Sequence, residues 1–144
     1  MEEIYSECPA LIELVDVLER ELISSFLRVF GDKIVSLVLY GSYARRDFSE
    51  SSDIDLLVVS EEVEDRYLIH KEIDVAENLL EPVYKCFKKY GYYPQISHII
   101  LSRDQAKYPR PLYLDLVFDH KILYDKDLCV KSFRECKTRI FHNR

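Results

Sequence analysis

Apolar side chains recur at helical spacing near the start of the chain: Leu11, Leu14, Val15, Leu18, Leu22, Phe26 and Val29 fall at steps of three and four residues. That periodicity predicts an amphipathic helix opening at Pro9 and ending at Gly31, with proline in the first turn and glycine past the last. The pattern then changes. KIVSLVLY (33–40) is a short run of branched residues halted by Gly41, and DIDLLVVS (53–60) is a second; both read as buried strands. DRYLIHKEIDVAENLLEPVYKCFKKYG (65–91) returns to helical spacing. Pro82 should kink or split it, because proline has no amide hydrogen and its ring clashes with the preceding turn. QISHIILS (95–102) reads as a third strand, PLYLDLVFD (111–119) as a short helix, KILYD (121–125) as a fourth strand, and 127–141 as a last helix.

This order predicts an α/β (α+β) fold: a small mixed sheet with flanking helices. About a dozen residues separate the first two strands, which allows a tight parallel crossover or an antiparallel return. No linker, repeat or low-complexity tract interrupts residues 1–144, so a single domain is expected. Composition narrows the picture. With 48% hydrophobic residues the chain can build a core. Its formal net charge of −6 argues against gripping a nucleic-acid backbone by bulk charge. A nucleotide stays open, since metal ions can neutralise its phosphates. No window approaches the ~20 apolar residues of a membrane span, and MEEIYSECPALIELVDVLER has neither signal- nor transit-peptide character. A cytoplasmic protein is expected, with Cys8, Cys86, Cys129 and Cys136 as reduced thiols. Cys129 and Cys136 could share a helix face, which reads as core packing. The histidines at 70, 98, 120 and 142 are scattered and offer no metal-ligand spacing.

The chemistry is concentrated in GSYARRDFSESSDID (41–55). A glycine ending a strand lets the backbone turn sharply and approach a ligand closely. A serine opening the next helical turn offers a hydroxyl and unpaired N–H groups where anions are favoured. Gly41 and Ser42 therefore make a candidate phosphate cradle, with Arg45 or Arg46 to assist. In a strand, residues i and i+2 share a face, so Asp53 and Asp55 project side by side. Two such carboxylates repel each other and are costly to desolvate. A divalent cation is the natural compensation, and magnesium accepts carboxylate oxygens while leaving room for phosphates and water.

Together, Gly41-Ser42 and Asp53-x-Asp55 resemble the signature of the DNA polymerase beta nucleotidyltransferase superfamily. The fuller VLYGSYARRDFSESSDIDLLVV resembles its minimal nucleotidyltransferase (MNT) branch, with a weaker likeness through PLYLDLVFDHKILYD. The resemblance implies a nucleotidyltransferase fold and an enzyme that moves a nucleoside monophosphate, here AMP from ATP, onto a hydroxyl with two Mg2+ ions. Asp53 and Asp55 would be the catalytic metal ligands, and Gly41, Ser42 and Arg45 would hold the NTP. It also implies a separate helical HEPN-type protein partner, typically an RNase toxin, which some MNT proteins neutralise by attaching AMP to a tyrosine.

The chain departs from that pattern twice. Arg46 stands where a glycine usually follows the arginine, at a cost of order 1 kcal/mol if the position needs positive φ. The strand expected to carry a third carboxylate, QISHIILS, has none; Gln95, Ser97 and His98 are its polar residues, and Asp104 and Asp115 lie nearby in sequence. His98 could serve as a base or be an ordinary hydrogen-bonded histidine. Alternatives to the enzyme are a degenerate module that restrains a HEPN partner by contact, and a sensor that binds NTP without transfer. The tyrosines of YGYYPQ (90–95) suit either a partner face or core edges, and the long helices could pair two copies as a homodimer.

Overall fold

The computed structural model describes residues 7–108 and 120–128. Helix α1 (Leu11–Phe30) is followed by a 3-10 turn and strand β1 (Ile34–Tyr40), then a short helix α2 (Ser42–Arg45) and strand β2 (Ile54–Ser60). Helices α3 (Arg66–Asn78) and α4 (Glu81–Lys89) lead to strand β3 (Ile96–Ser102) and a short helix α5 (Arg103–Ala106). Strand β4 (His120–Asp125) ends in a 3-10 turn at Lys126–Leu128. Pro82 does split the long helical pattern: it sits in the first turn of α4, where its missing N–H costs nothing. The expected helix over 111–119, and all but the first two residues of the one over 127–141, lie outside the described residues, as do Cys129, Cys136 and Asp115.

The four strands form one mixed sheet in the order β3-β2-β1-β4. β1 pairs antiparallel with both β2 and β4, and β2 pairs parallel with β3. The short link between the first two strands is thus an antiparallel return. Leu14, Leu18, Leu22 and Phe26 of α1 join Ile73 of α3, Phe87 of α4, and Leu37, Leu39, Ile54, Leu56 and Val58 of the strands in one core on one face of the sheet. On the other face Val35, Val38, Leu57, Val59 and Leu101 pack with Ala106 of α5. Both faces being covered is what makes β1 and β2 read as continuous apolar runs.

One expectation is overturned. Cys8 and Cys86 are joined in a disulfide across 78 residues of sequence, fixing the segment before α1 to α4. Because that segment runs past α4, Cys8 reaches Cys86, and the hydroxyl of Tyr90 donates to the Pro9 carbonyl at 2.6 Å beside it. No local spacing could show such a pairing.

Candidate active site

The strand directions bring four chain ends to one edge of the sheet: the end of β1 and the starts of β2, β3 and β4. Register sets Tyr40 opposite Asp55 and His120, and Asp55 opposite Ser97. His120, Tyr40, Asp55 and Ser97 therefore form a row across the sheet, on the face that carries Leu57 and Val59.

Gly41 leaves β1 with φ +74°, a backbone that L side chains rarely adopt. A Cβ there would collide with the Asp55 carboxylate oxygen Oδ2. The glycine thus lets the turn press its backbone against that carboxylate. Ser42 then opens α2, and Tyr43 is fully buried, stacked on Phe48 at 4.2 Å and edge-on to Phe87 at 6.1 Å. These rings bolt the turn to the core. The Tyr43 hydroxyl has no hydrogen-bond partner among the described residues, and burial, followed by Tyr92 and Asp53, pushes its ionisation far up.

Arg46 does adopt positive φ, 66°. The cost to a non-glycine residue is set against its contacts. Its guanidinium donates to Asp16 at 2.9 Å and to the Tyr43 carbonyl at 3.2 Å, and lies 3.0 Å from Glu19 of α1. Glu19 is buried and also takes Lys121 of β4 at 2.5 Å. Arg46 is thereby a tie between the turn and α1, which a glycine could not be. Arg45 pairs with Asp47 at 3.1 Å, and its charge also acts on Asp55.

Asp53 is exposed and Asp55 half-buried. Burial, and then the charge of Asp53, raise the Asp55 carboxyl above its ordinary value, with Arg45 opposing. The pair is therefore adjacent and electrostatically frustrated, the condition a divalent cation would relieve. Among the described residues no three His, Cys, Asp or Glu side chains gather into a metal-binding group. Two adjacent carboxylates, Asp53 exposed and Asp55 half-buried, fit magnesium, which fills its remaining positions with phosphate and water.

The other candidates fall elsewhere. His98 points to the opposite face, where its Nε2 lies 2.8 Å from Nδ1 of His70 on α3. Burial and then His70 lower its pKa. Alternation along β3 makes His98 and Ser97 face apart, so the base reading of His98 gives way to the structural one. Asp104 sits on α5 at the far end of β3, paired with Lys107 at 3.4 Å. Ser97 occupies the place beside Asp55, and Gln95 is exposed ahead of it. Glu77 escaped sequence reasoning: its Oε2 accepts the Ile96 N–H at 2.7 Å and the Tyr84 hydroxyl at 2.6 Å, holding the start of β3 to α4. Nothing local marks it as more than a helix-surface acid.

Comparison with known proteins shows the family. The family model described as "Nucleotidyltransferase domain" matches residues 19–107. The chain belongs to that family. The match spans the turn, both aspartates and β1 through β3 of the nucleotidyltransferase domain. "Putative protein adenylyltransferase MJ1305" of Methanocaldococcus jannaschii is 34% identical over 117 residues, 80% of this chain and 75% of that protein. "Putative protein adenylyltransferase MJ0141" of the same organism is 33% identical over 52 residues, 36% and 52% of the two chains. Among solved structures, a chain of a toxin-antitoxin with AMP-PNP superposes with TM-score 0.53 at 18% identity, covering 87% of each chain. A chain from a tri-AMPylated Shewanella oneidensis HEPN toxin in complex with MNT antitoxin gives 0.50 at 16%, covering 90% of this chain and 87% of its own. At these identities the solved structures show a shared fold. The nucleotidyltransferase resemblance carried by residues 35–60 is borne out.

Proposed function

We propose that this nucleotidyltransferase domain transfers AMP from ATP to a hydroxyl of a partner protein, with Mg2+ held by Asp53 and Asp55. The observation that carries the reading is the Gly41 backbone pressed against Asp55, with Asp53 beside it at the same end of the sheet. In this reading Gly41 and Ser42 cradle the triphosphate, and Arg45 adds positive charge to that side. Bound magnesium would neutralise the triphosphate and polarise the α-phosphoryl group. The acceptor oxygen bonds to the α-phosphorus as the bond to pyrophosphate breaks. The names of the curated relatives support adenylyl transfer to protein, and the toxin-antitoxin complexes among the structural neighbours support a helical HEPN-type partner.

Ser97 favours a second reading, a nucleotide-binding module that restrains its partner by contact. It stands beside Asp55 where an acid would help deprotonate an acceptor. Label transfer from ATP into proteins of a source-cell extract separates the two. With α-labelled ATP and magnesium, transfer predicts a labelled protein band; with γ-labelled ATP, or with Asp53→Asn/Asp55→Asn, it predicts none. A partner that is captured equally by wild type and double variant, with no label from α-ATP, would support the contact module instead.

A further inference from the structure

The transfer reading fixes the side from which an acceptor must come. In phosphoryl transfer the attacking and leaving oxygens lie roughly in line across phosphorus. With the leaving end of the triphosphate over Gly41 and Ser42, after β1, and the reacting phosphorus over Asp53 and Asp55 on β2, the attacking oxygen arrives over β3. β3 lies at the edge of the sheet.

The segment leading into β3 suits such an approach. Tyr92 is half-buried, Tyr93 exposed, Pro94 buried, Gln95 exposed, Ile96 buried and Ser97 exposed. Pro94 biases Tyr93 toward extended backbone by steric clash, and period-two alternation then puts 93, 95 and 97 on one side. Ser97 is the register partner of Asp55, so the stripe shares the face of the two carboxylates. Tyr92 turns the other way, its ring edge-on to Phe48 at 5.5 Å. The Tyr93 N–H donates to the Glu50 carbonyl at 3.2 Å, which ties its backbone to the loop just before Asp53. The side chain above that tie is 64% exposed. Tyr93 thus stands at the rim over which an acceptor passes, and it carries a phenol. Phenols lose a proton far more readily than aliphatic alcohols, which matters on a stripe that holds no carboxylate.

We propose that Tyr93 is a self-adenylylation site, an inference that rests on the transfer reading. Its Oη bonds to the α-phosphorus of ATP as the bond from that phosphorus to the pyrophosphate oxygen breaks. Pyrophosphate leaves, the phenolic proton passes to solvent, and AMP stays on Tyr93 as a phosphodiester. The experiment incubates the purified full chain with magnesium and α-labelled ATP, then maps the labelled peptide by mass spectrometry. The expected result is one AMP on Tyr93, lost in Asp53→Asn/Asp55→Asn and in Tyr93→Phe. The phenylalanine variant should keep the wild-type melting temperature, so that lost label reports chemistry and not unfolding. AMP on another residue, or undiminished label in Tyr93→Phe, would overturn the assignment. A chain that labels an extract protein but never itself would overturn it too, while leaving the transferase reading intact. A chain that labels neither removes both.

Discussion

The two ends of the sheet gather charge in opposite ways. At the end away from the candidate site, Glu61 follows β2 and meets Arg103, which follows β3, at 2.5 Å, and Lys126, which follows β4, at 3.1 Å. Arg103 also reaches Asp127 at 3.1 Å. Hydrogen bonds from Arg103 and Lys126 pull the Glu61 carboxyl down to about 2. At the candidate end, Asp55 moves the other way, raised by burial and then by Asp53. One end is an electrostatic clamp complete within the chain. The other holds paired like charges against a glycine turn that other residues would not readily adopt, an arrangement that stability alone would not favour and that an external cation and its nucleotide would complete.

That contrast can be broken most severely at Gly41. Gly41→Ala drives a methyl into the Asp55 carboxylate at positive φ, so transfer should fall by at least about 100-fold, the scale of a misplaced reacting group. Single-turnover label transfer measures it; near-wild-type turnover would contradict the packed geometry. Ser97→Asp sharpens the comparison by adding a carboxylate beside Asp55. If base catalysis is what the acceptor side lacks, transfer should rise toward the ~100-fold that a positioned base typically contributes. A rate unchanged across pH would show that deprotonation does not limit it.

Arg46 offers a smaller, structural test. Arg46→Ala keeps the left-handed backbone and removes the ties to Asp16 and Glu19, and should cost about 1–2 kcal/mol in denaturant unfolding, the scale of lost charge-assisted bonds. Arg46→Gly loses the same ties but relieves the backbone, and should recover about 1 kcal/mol of that. Equal losses would mean the positive φ carries no strain.

The smallest effect belongs to the clamp. Because the Glu61 pKa is depressed on folding, its contribution is present above the unfolded value of 4.5 and is lost as pH falls through about 2. Glu61→Gln should therefore lower the melting temperature slightly at neutral pH and converge with wild type toward pH 2, while transfer is untouched. In metal-free buffer Asp55→Asn should do the reverse at neutral pH and stabilise the fold, because burial and Asp53 raise the Asp55 carboxyl; with magnesium and ATP supplied it should abolish transfer.

Sequence periodicity located α1 and all four strands to within a residue or two, because each is a run of apolar side chains with a clear stop such as Gly31 or Gly41. The residue motif marked the Gly41–Asp55 stretch, and the structure brings the Gly41 backbone against the Asp55 carboxylate. What the sequence did not reveal was held by distant partners. The Cys8–Cys86 link, the Glu77 bond to Ile96 and the His70–His98 pair each join residues far apart in the chain. Among the described residues, α5 was missed despite a local signal: Ser102 and Gln105 form a reciprocal capping box. The sign of φ at Arg46 was half legible, flagged by the unusual residue; its compensation by Asp16 and Glu19 was not.

The most direct test of the central claim is calorimetric binding of a non-hydrolysable ATP analogue, with and without magnesium, to wild type and Asp53→Asn/Asp55→Asn. Wild type should bind it in a magnesium-dependent way that the double variant loses, with both proteins folded by circular dichroism. Binding that needs no magnesium, or that survives loss of both carboxylates, would contradict it.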